Sequence, residues 1–255
     1  MKLENSVLKF LNGVEFDNGL DVKVSQPELE IITRLDKLEK LTKNKRIVHL
    51  GCCDHIPLIK EKIKNNIWLH ARITKDAERC IGVDIDEEGI NYLKSELNYD
   101  NVVKADITSD VIEEITSSHW DYIVIGEILE HIDNPVDFLS KIKKLYGGVI
   151  DKVIITVPNA FSYTNFSGIK QHCEIINSDH RYWFSPYTLA KVGTIAGLKL
   201  QEFFYVQEVK PTIGLKPKLM VFPYFKRIGR INRLKKYPAF RDTILAVLTF
   251  APDEK

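Results

Sequence analysis

The sequence has few cysteines and no long apolar stretch. Its four cysteines have neither the paired spacing of a metal-binding motif nor the density of a disulfide-bonded scaffold. No apolar run approaches the roughly 20 residues that a membrane-spanning helix needs. The first residues also lack the basic stretch and apolar run of a signal peptide. We therefore expect a cytoplasmic protein without a transmembrane segment.

A large excess of charge of either sign is also absent, because the formal net charge is +1. This argues against a protein whose whole surface attracts a polyanion. The charge is unevenly placed, since residues 210–241 contain ten lysines and arginines and no aspartate or glutamate. We interpret residues 209–241 as a basic lid over an anionic acceptor. A solvated excursion, an RNA-binding stripe and a contact with an anionic membrane surface are the alternatives.

Two short apolar runs stop at residues suited to binding a nucleoside. Residues 47–50 predict a buried parallel strand, and Gly51 follows where a side chain would block a ligand. Residues 81–83 predict a second strand, which ends at Asp84. This carboxylate can accept two hydrogen bonds from a ribose diol. Nucleosides bind in this way at the carboxyl edge of a doubly wound sheet, so we look for function at that edge.

Strands alternate with helices as far as residue 208, which predicts an α/β fold with helices on both faces of a parallel sheet. A further strand is expected at 243–250. We expect residues 45–255 to form one domain and residues 1–44 to form an N-terminal helical extension. The connections 52–66 and 160–179 exceed the usual length of about 2–6 residues, so they are expected to be functional loops.

The order of several short motifs resembles that of the class I S-adenosylmethionine-dependent methyltransferases, over roughly residues 45–250. The motifs are Leu50-Gly51, Gly82-Val-Asp84-Ile, Ala105-Asp106-Ile, Asp121-Tyr-Ile-Val, Leu129-Glu-His131 and Thr156-Val-Pro158-Asn159. Residues 158–162 and 179–189 resemble a bacterial subgroup whose members often act in surface-glycan or small-metabolite pathways. The resemblance implies a Rossmann-like sheet of seven strands, mostly parallel with an antiparallel last strand. It also implies S-adenosylmethionine as the cofactor.

The first motif departs from the family pattern. The family usually has an acidic residue followed by three alternate glycines, whereas this chain has His49, Gly51, Cys53 and His55 at those positions. Larger side chains beside the methionine end of the cofactor should force the loop onto a different path. The contacts to ribose and adenine should be less affected.

The resemblance places the cofactor contacts after successive strands. Asp84 would accept hydrogen bonds from both ribose hydroxyls, and Asp106 would accept one from the adenine amine. The other expected contacts are Ile85 and Ile107 around the adenine, Glu127 at the methionine amine, and Gly51 and Cys52 in the first loop.

Two histidines are candidates for a catalytic base. His131 follows the fourth strand, near the expected position of the methyl group, and His180 is its rival. The ordinary imidazole pKa of about 6.5 suits a general base. For His131 the alternatives are stacking on the acceptor and capping a helix. We expect Asn159, Arg181 and Tyr182 to contact the acceptor, and we expect no metal because no second carboxylate cluster is apparent.

Together these features predict an enzyme that transfers a methyl group from S-adenosylmethionine to a hydroxyl of a small, anionic saccharide or metabolite. The sequence contains no RNA-reading motif. It also lacks an Asn/Asp-Pro-Pro-Tyr sequence after the fourth strand, which argues against methylation of DNA base amines. Two alternatives stay open: an RNA methyltransferase that uses the basic segment, and a non-catalytic binding protein built on the cofactor fold.

Overall fold

The fold is built on one sheet of seven strands, in the order β3-β2-β1-β4-β5-β7-β6. A computed structural model describes residues 1–208 and 221–252, with the backbone alone for residues 221–228. The strands are β1 Arg46–Leu50, β2 Arg79–Asp84, β3 Val102–Lys104, β4 Trp120–Gly126, β5 Ile150–Pro158, β6 Leu198–Val206 and β7 Thr243–Phe250. Strands β1 to β5 pair in parallel, and β7 pairs antiparallel with both β5 and β6. The predicted Rossmann-like sheet with an antiparallel last strand is therefore confirmed.

Helices cover both faces of this sheet. Their bounds are α1 Asn5–Leu11, α2 Arg34–Thr42, α3 Ile56–Lys64, α4 Leu69–Asp76, α5 Glu87–Leu97, α6 Glu113–Thr116, α7 Pro135–Tyr146, α8 Tyr163–Ile169, α9 Pro186–Ile195 and α10 Val221–Lys236. Short 3₁₀ turns at Leu129–His131 and Pro238–Phe240 precede α7 and β7. Among the described residues, no helix is both long and apolar enough to cross a bilayer.

The sheet separates two apolar cores because successive strand residues point to opposite faces. In β1, Val48 and Leu50 belong to the larger core, which contains side chains of α7 and α9. Ile47 points the other way and packs with Leu38 of α2 and Ile73 of α4. These strands are buried on both sides, as expected for a doubly wound sheet.

Two predicted loops contain helices instead. The prediction of a long loop after β1 is wrong, because α3 begins six residues after the strand. Helix α3 has Pro57 in its first turn, and its Ile59 side chain is buried. The region 160–179 contains α8, whose N-terminus is capped by the Ser162 hydroxyl. Helix α10 occupies much of the basic segment 209–241 that precedes β7.

The N-terminal extension packs against both faces of the sheet. Val7 and Leu11 of α1 pack with Ala190 of α9. Lys191 fixes this contact, because its Nζ donates to the carbonyls of Phe10 and Leu11 at 2.6 and 2.7 Å. Helix α2 packs on the other face beside α4. This second helix of the extension spans Arg34–Thr42, after the N-cap Thr33.

A buried arginine joins the extension to the end of the chain. Arg241 is fully buried, and its guanidinium donates to the Glu28 carboxylate and to the carbonyls of Glu30, Tyr205 and Leu234. Burial lowers the pKa of Arg241, and the Glu28 carboxylate opposes that shift. A buried guanidinium without these acceptors would be strongly destabilising. Arg241 therefore holds the segment before α2 against the start of β7.

Two buried histidines, His49 of β1 and His70 of α4, lie in contact near the start of the first loop. His49 stands at the acidic position of the family motif, and its ring stacks on that of His70 with a centroid separation of 5.2 Å. The two Nδ1 atoms are 3.0 Å apart, so one of them donates a hydrogen bond to the other. Burial lowers the pKa of His70 to about 4. Burial, His70 and Arg34 together hold the pKa of His49 well below its usual range.

We expect the free energy of unfolding to fall as the pH decreases from about 6.5 towards about 4. Below pH 6.5 the unfolded chain protonates His70, whereas the folded chain does so only near pH 4. Between pH 7 and pH 5, His70 alone should lower the free energy of unfolding by about 2 kcal/mol, as measured by urea unfolding. The variant His70→Phe should lose that part of the pH dependence. The variant His119→Gln, at an exposed histidine, is the control. An unaltered pH dependence in His70→Phe would contradict this account.

Candidate functional site

Three strands that lead to predicted site residues end in register at the carboxyl edge of the sheet. Leu50 is paired with Val83 on one side and with Ile125 on the other. The next residues along the three strands are Gly51, Asp84 and Gly126. The strand order places β1 between β2 and β4, so Gly51 lies between the two other turns. This is the edge at which ligands bind in open α/β sheets.

Gly51 allows the chain to turn tightly between these strands. Its φ is +70°, a backbone conformation that favours glycine. A Cβ built on it would lie 2.7 Å from Cδ1 of Ile128, in the turn after β4. A side chain at this position would therefore strain the backbone and displace that turn.

Asp84 is held by the backbone of the first loop. Its Oδ2 accepts a hydrogen bond from the Cys53 amide at 2.8 Å, and its Oδ1 accepts one from the Asp86 amide at 3.1 Å. A carboxylate oxygen has two lone pairs, so both oxygens can still accept from a diol. A cavity of about 550 Å³ opens beside Asp84 and is also lined by His55 and Pro57. The position of Asp84 and its hydrogen-bond acceptors fit a ribose diol.

The expected adenine contacts divide into exposed and buried residues. Ile85 is 71% exposed, so its apolar side chain is available to a ligand. Ile107 is 3% exposed and belongs to the larger core, and its expected contact with adenine stays a prediction. Asp106 is exposed, and its Oδ1 accepts hydrogen bonds from the amide and hydroxyl of Thr108. These bonds lower the pKa of Asp106, so it is ionised and able to accept from an amine.

The two loop cysteines have different surroundings. Cys52 is buried, and its sulfur lies 2.8 Å from a Cβ built on Gly82, so the thiol faces the interior; the expected contact of Cys52 with the cofactor stays a prediction. Cys53 lies equally close to Gly89 of α5. The thiols and Asp84 could together offer three metal ligands. Hydrogen bonding with Cys53 and burial raise the pKa of the Cys52 thiol, which opposes thiolate coordination.

Glu127 occupies a strained position directly after β4. Its φ is +56°, which is uncommon for a residue with a side chain and often marks functional sites. Its Oε1 is buried and has no hydrogen-bond partner among the described residues. Burial raises the pKa of Glu127, and the nearby Arg34 guanidinium opposes the shift.

Arg34 is a site residue that the sequence analysis missed. It belongs to α2 of the N-terminal extension, and its Nε donates to Glu208 at 2.9 Å. Its positive charge also opposes the rise in the pKa of Glu127 and of Glu130 that burial causes. No local motif marks this arginine, because only tertiary packing brings α2 to the end of β4.

Glu130 is the second residue that the sequence analysis overlooked. Its exposure is 0%, and neither carboxyl oxygen has a hydrogen-bond partner among the described residues. Burial raises the pKa of Glu130, and the nearby Glu127 raises it further. The motif Leu129-Glu-His131 contained this residue, but the sequence did not indicate on which side of the turn its side chain would lie.

The two candidate histidines lie together beside Glu130. The rings of His131 and His180 are edge to face, with centroids 4.6 Å apart. The His180 Nε2 lies 3.9 Å from Oε1 of Glu130, and His131 Nδ1 lies 3.1 Å from Oδ2 of Asp179. Burial and the neighbouring His131 lower the pKa of His180. The Glu130, His131 and His180 side chains form what we call the carboxylate–imidazole cluster.

Two of the predicted acceptor residues lie next to this cluster. Arg181 donates from Nε to the Asp133 carboxylate, and its backbone amide donates to the Glu130 carbonyl at 2.8 Å. Tyr182 is exposed, and its hydroxyl donates to the Asp133 carbonyl at 2.7 Å. These bonds attach the segment carrying His180 to the turn that carries His131.

Asn159 has a structural role in the described part of the chain. The side chain is fully buried. Its Nδ2 donates to the carbonyls of Ala239 and Arg241, each at 2.7 Å, and its Oδ1 accepts from the Phe161 amide at 3.0 Å. Both N–H groups of the side chain are thus used within the protein, and the expected contact of Asn159 with the acceptor stays a prediction.

An apolar surface lies beside the cluster, and basic side chains lie on α10. The ring of Trp183 is edge to face with that of His180 at 6.5 Å, and Trp183 also lines a cavity of about 470 Å³ with Ile169 and Ile175. The basic segment can be followed only in part, because residues 209–220 lie outside the described residues. Within α10, Arg230 and Arg233 are exposed, and the Arg233 guanidinium lies 4.7 Å from the ring centre of Tyr163 in α8.

Part of the chain matches a known protein family. Residues 66–147 match a family model described as a methyltransferase domain. The matched region runs from α4 to the end of α7, so it contains Asp84, Asp106 and the end of β4. No curated protein sequence matches the chain.

Two solved structures share the fold at low sequence identity. One is described as a methyltransferase in a complex with the Haloferax volcanii Trm112 methyltransferase activator. It is 15% identical, with a TM-score of 0.52, over 85% of this chain and 88% of that one. The other, a small RNA methyltransferase named HEN1, is 14% identical with a TM-score of 0.51, over 92% of this chain and 28% of that one. The domain match and the shared fold support S-adenosylmethionine as the cofactor.

Proposed function

We propose that this protein transfers a methyl group from S-adenosylmethionine to a hydroxyl of a small anionic saccharide or metabolite. The observation that carries the proposal is the arrangement of Asp84 and the carboxylate–imidazole cluster along one edge of the sheet. Asp84 ends β2, and Glu130 and His131 follow β4; these two strands lie on either side of β1. Two strand spacings amount to about 10 Å, a separation that suits a nucleoside at one end and a reacting centre at the other.

The residues at the cofactor end fit S-adenosylmethionine. Asp84 accepts from the ribose hydroxyls, Asp106 accepts from the adenine amine, and Ile85 covers the adenine ring. Glu127 offers a buried carboxyl oxygen to the methionine amine. When bound, the cofactor supplies an electrophilic methyl group on a sulfonium.

The cluster acts on the acceptor at the other end. A hydroxyl is a poor nucleophile until it loses its proton, and a positioned group that assists this loss adds about 10²–10⁴-fold to the rate. His131 and His180 are the side chains placed to activate the hydroxyl. Holding the acceptor in line with the methyl group contributes up to about 7–11 kcal/mol in favourable cases.

The acceptor class is inferred from the surfaces around the cluster. Trp183 and the cavity next to it offer an apolar and aromatic wall, which can stack against the ring of a sugar or another small metabolite. Arg230 and Arg233 add positive charge that attracts an anion such as a phosphate. An RNA acceptor is the second candidate, because exposed cations on α10 can also contact a phosphate backbone.

We expect Asp84→Ala to weaken the binding of S-adenosylhomocysteine by about 1–3 kcal/mol, because the ribose hydroxyls lose their acceptor. Calorimetric titration measures this change. Asp84→Asn, which keeps one acceptor oxygen, should lie between Asp84→Ala and the wild type. Asp100→Ala, at an exposed carboxylate, is the matched control. A folded Asp84→Ala protein with unchanged affinity would remove the ribose role.

We expect His131→Ala and His180→Ala each to lower turnover by about 10²-fold or more at saturating cofactor. The affinity for S-adenosylhomocysteine should stay near that of the wild type, because neither ring is assigned to the cofactor. His119→Ala serves as the control, since His119 is exposed and paired with Asp151 at 3.1 Å. Full turnover in both variants would exclude the cluster from activation of the acceptor.

For an anionic metabolite, the double variant Arg230→Gln and Arg233→Gln should raise the acceptor KM by about 5-fold, equivalent to roughly 1 kcal/mol. The effect should shrink at higher salt, because salt screens exposed charges. Steady-state kinetics at two ionic strengths give the result, with Lys75→Gln and Arg79→Gln at the opposite edge as the control. An unchanged KM together with a flatter salt dependence of RNA binding would favour the RNA acceptor instead.

A further inference from the structure

Glu130 presents a buried carboxyl group that the folded chain leaves unsatisfied. Its side chain has no exposure, and neither oxygen forms a hydrogen bond with the described residues. Burying a carboxyl group without partners is costly, so such groups in proteins are usually paired or bound to metals. The His180 imidazole is close by, but its Nε2 lies 3.9 Å from Oε1 of Glu130, which is beyond hydrogen-bonding range.

The spacing of the three side chains fits ligands of a common ion. One ligand atom from each of Glu130, His131 and His180 can be chosen so that all lie within 4.8 Å of one another. Ligands held 2.0–2.2 Å from one ion are separated by about 3 Å at adjacent positions and by about 4 Å at opposite ones. The distance of 3.9 Å between His180 and Glu130 falls within this range.

Asp179 orients one of the imidazoles for metal binding. Its Oδ2 lies 3.1 Å from Nδ1 of His131, which holds the proton on that nitrogen. The Nε2 lone pair of His131 is then available to an ion. Metal-binding histidines are commonly oriented by such a carboxylate on the other ring nitrogen.

We propose that Glu130, His131 and His180 bind one divalent first-row transition-metal ion. Two imidazoles and one carboxylate favour ions such as Mn²⁺, Co²⁺ or Zn²⁺ over Ca²⁺ or Mg²⁺, which prefer oxygen ligands. Three protein ligands leave coordination positions open. The proposal differs from the expectation of no metal in the sequence analysis, which considered carboxylate clusters alone.

The role of the ion rests on the proposed function, although its binding does not. A hydroxyl oxygen of the acceptor coordinated at an open position loses its proton to water more readily. That oxygen then gains the methyl group as the bond to the cofactor sulfur breaks, and S-adenosylhomocysteine leaves as a neutral thioether. His131 and His180 thus activate the hydroxyl as ligands of the ion.

The test measures Mn²⁺ binding to the full-length protein after removal of metals with a chelator. Electron paramagnetic resonance of free Mn²⁺ gives the stoichiometry and affinity without any acceptor. We expect one ion per chain and binding at least about 10-fold weaker in both Glu130→Gln and His180→Ala. The control His119→Ala should bind as the wild type does, because His119 and Asp151 form an exposed pair elsewhere.

A second measurement needs no variant. Electron spin-echo spectra of Mn²⁺ bound to the wild type should show modulation from directly bound imidazole nitrogens. Absence of stoichiometric binding, absence of nitrogen modulation, or wild-type affinity in both folded variants would each overturn the metal site. Turnover that persists in chelator with no ion bound would overturn the role of the ion in activating the hydroxyl, while leaving methyl transfer intact. Metal binding without methyl transfer to any hydroxyl acceptor would instead count against the proposed function.

Discussion

The parallel register of β1, β2 and β4 is the constraint on which the candidate site depends. Leu50 pairs with Val83 and Ile125, so the turns that follow the three strands begin at one level. A shift of one residue would turn the core side chains of a strand to its other face. Gly51 completes the arrangement, because Ile128 occupies the space where its side chain would lie. The stability of the sheet and the geometry of the site therefore depend on the same pairing.

Buried acidic groups dominate the electrostatics at the end of β4. Glu127, Glu130 and Glu208 all interact with the Arg34 guanidinium. Burial raises the pKa of Glu127 and Glu130, and a nearby positive charge favours the ionised form of both carboxyl groups. The region is therefore suited to ligands that carry positive charge. The sulfonium of the cofactor and the proposed metal ion have that property in common.

The first loop shows how a chain can lack the usual glycines and keep the architecture. Cys52 turns its sulfur into the interior, and the close approach is made possible by Gly82 on the neighbouring strand. Cys53 lies against Gly89 of α5 in a similar way, and its amide donates to Asp84. The small residues thus stand on the elements that face the loop, and the carboxylate expected to bind ribose still receives a backbone donor.

The sequence by itself determined the sheet, the helices α5 and α7, and the positions of Gly51 and Asp84, because apolar periodicity and strand-end residues are local signals. It also marked His131 and His180, but it did not reveal that Asn159 and Ile107 are buried, because their burial depends on distant residues. Only the tertiary structure decided that Arg34 and Glu130 lie at the same edge as these histidines. Their side chains meet through contacts between residues far apart in the chain, and no spacing in the sequence records such contacts.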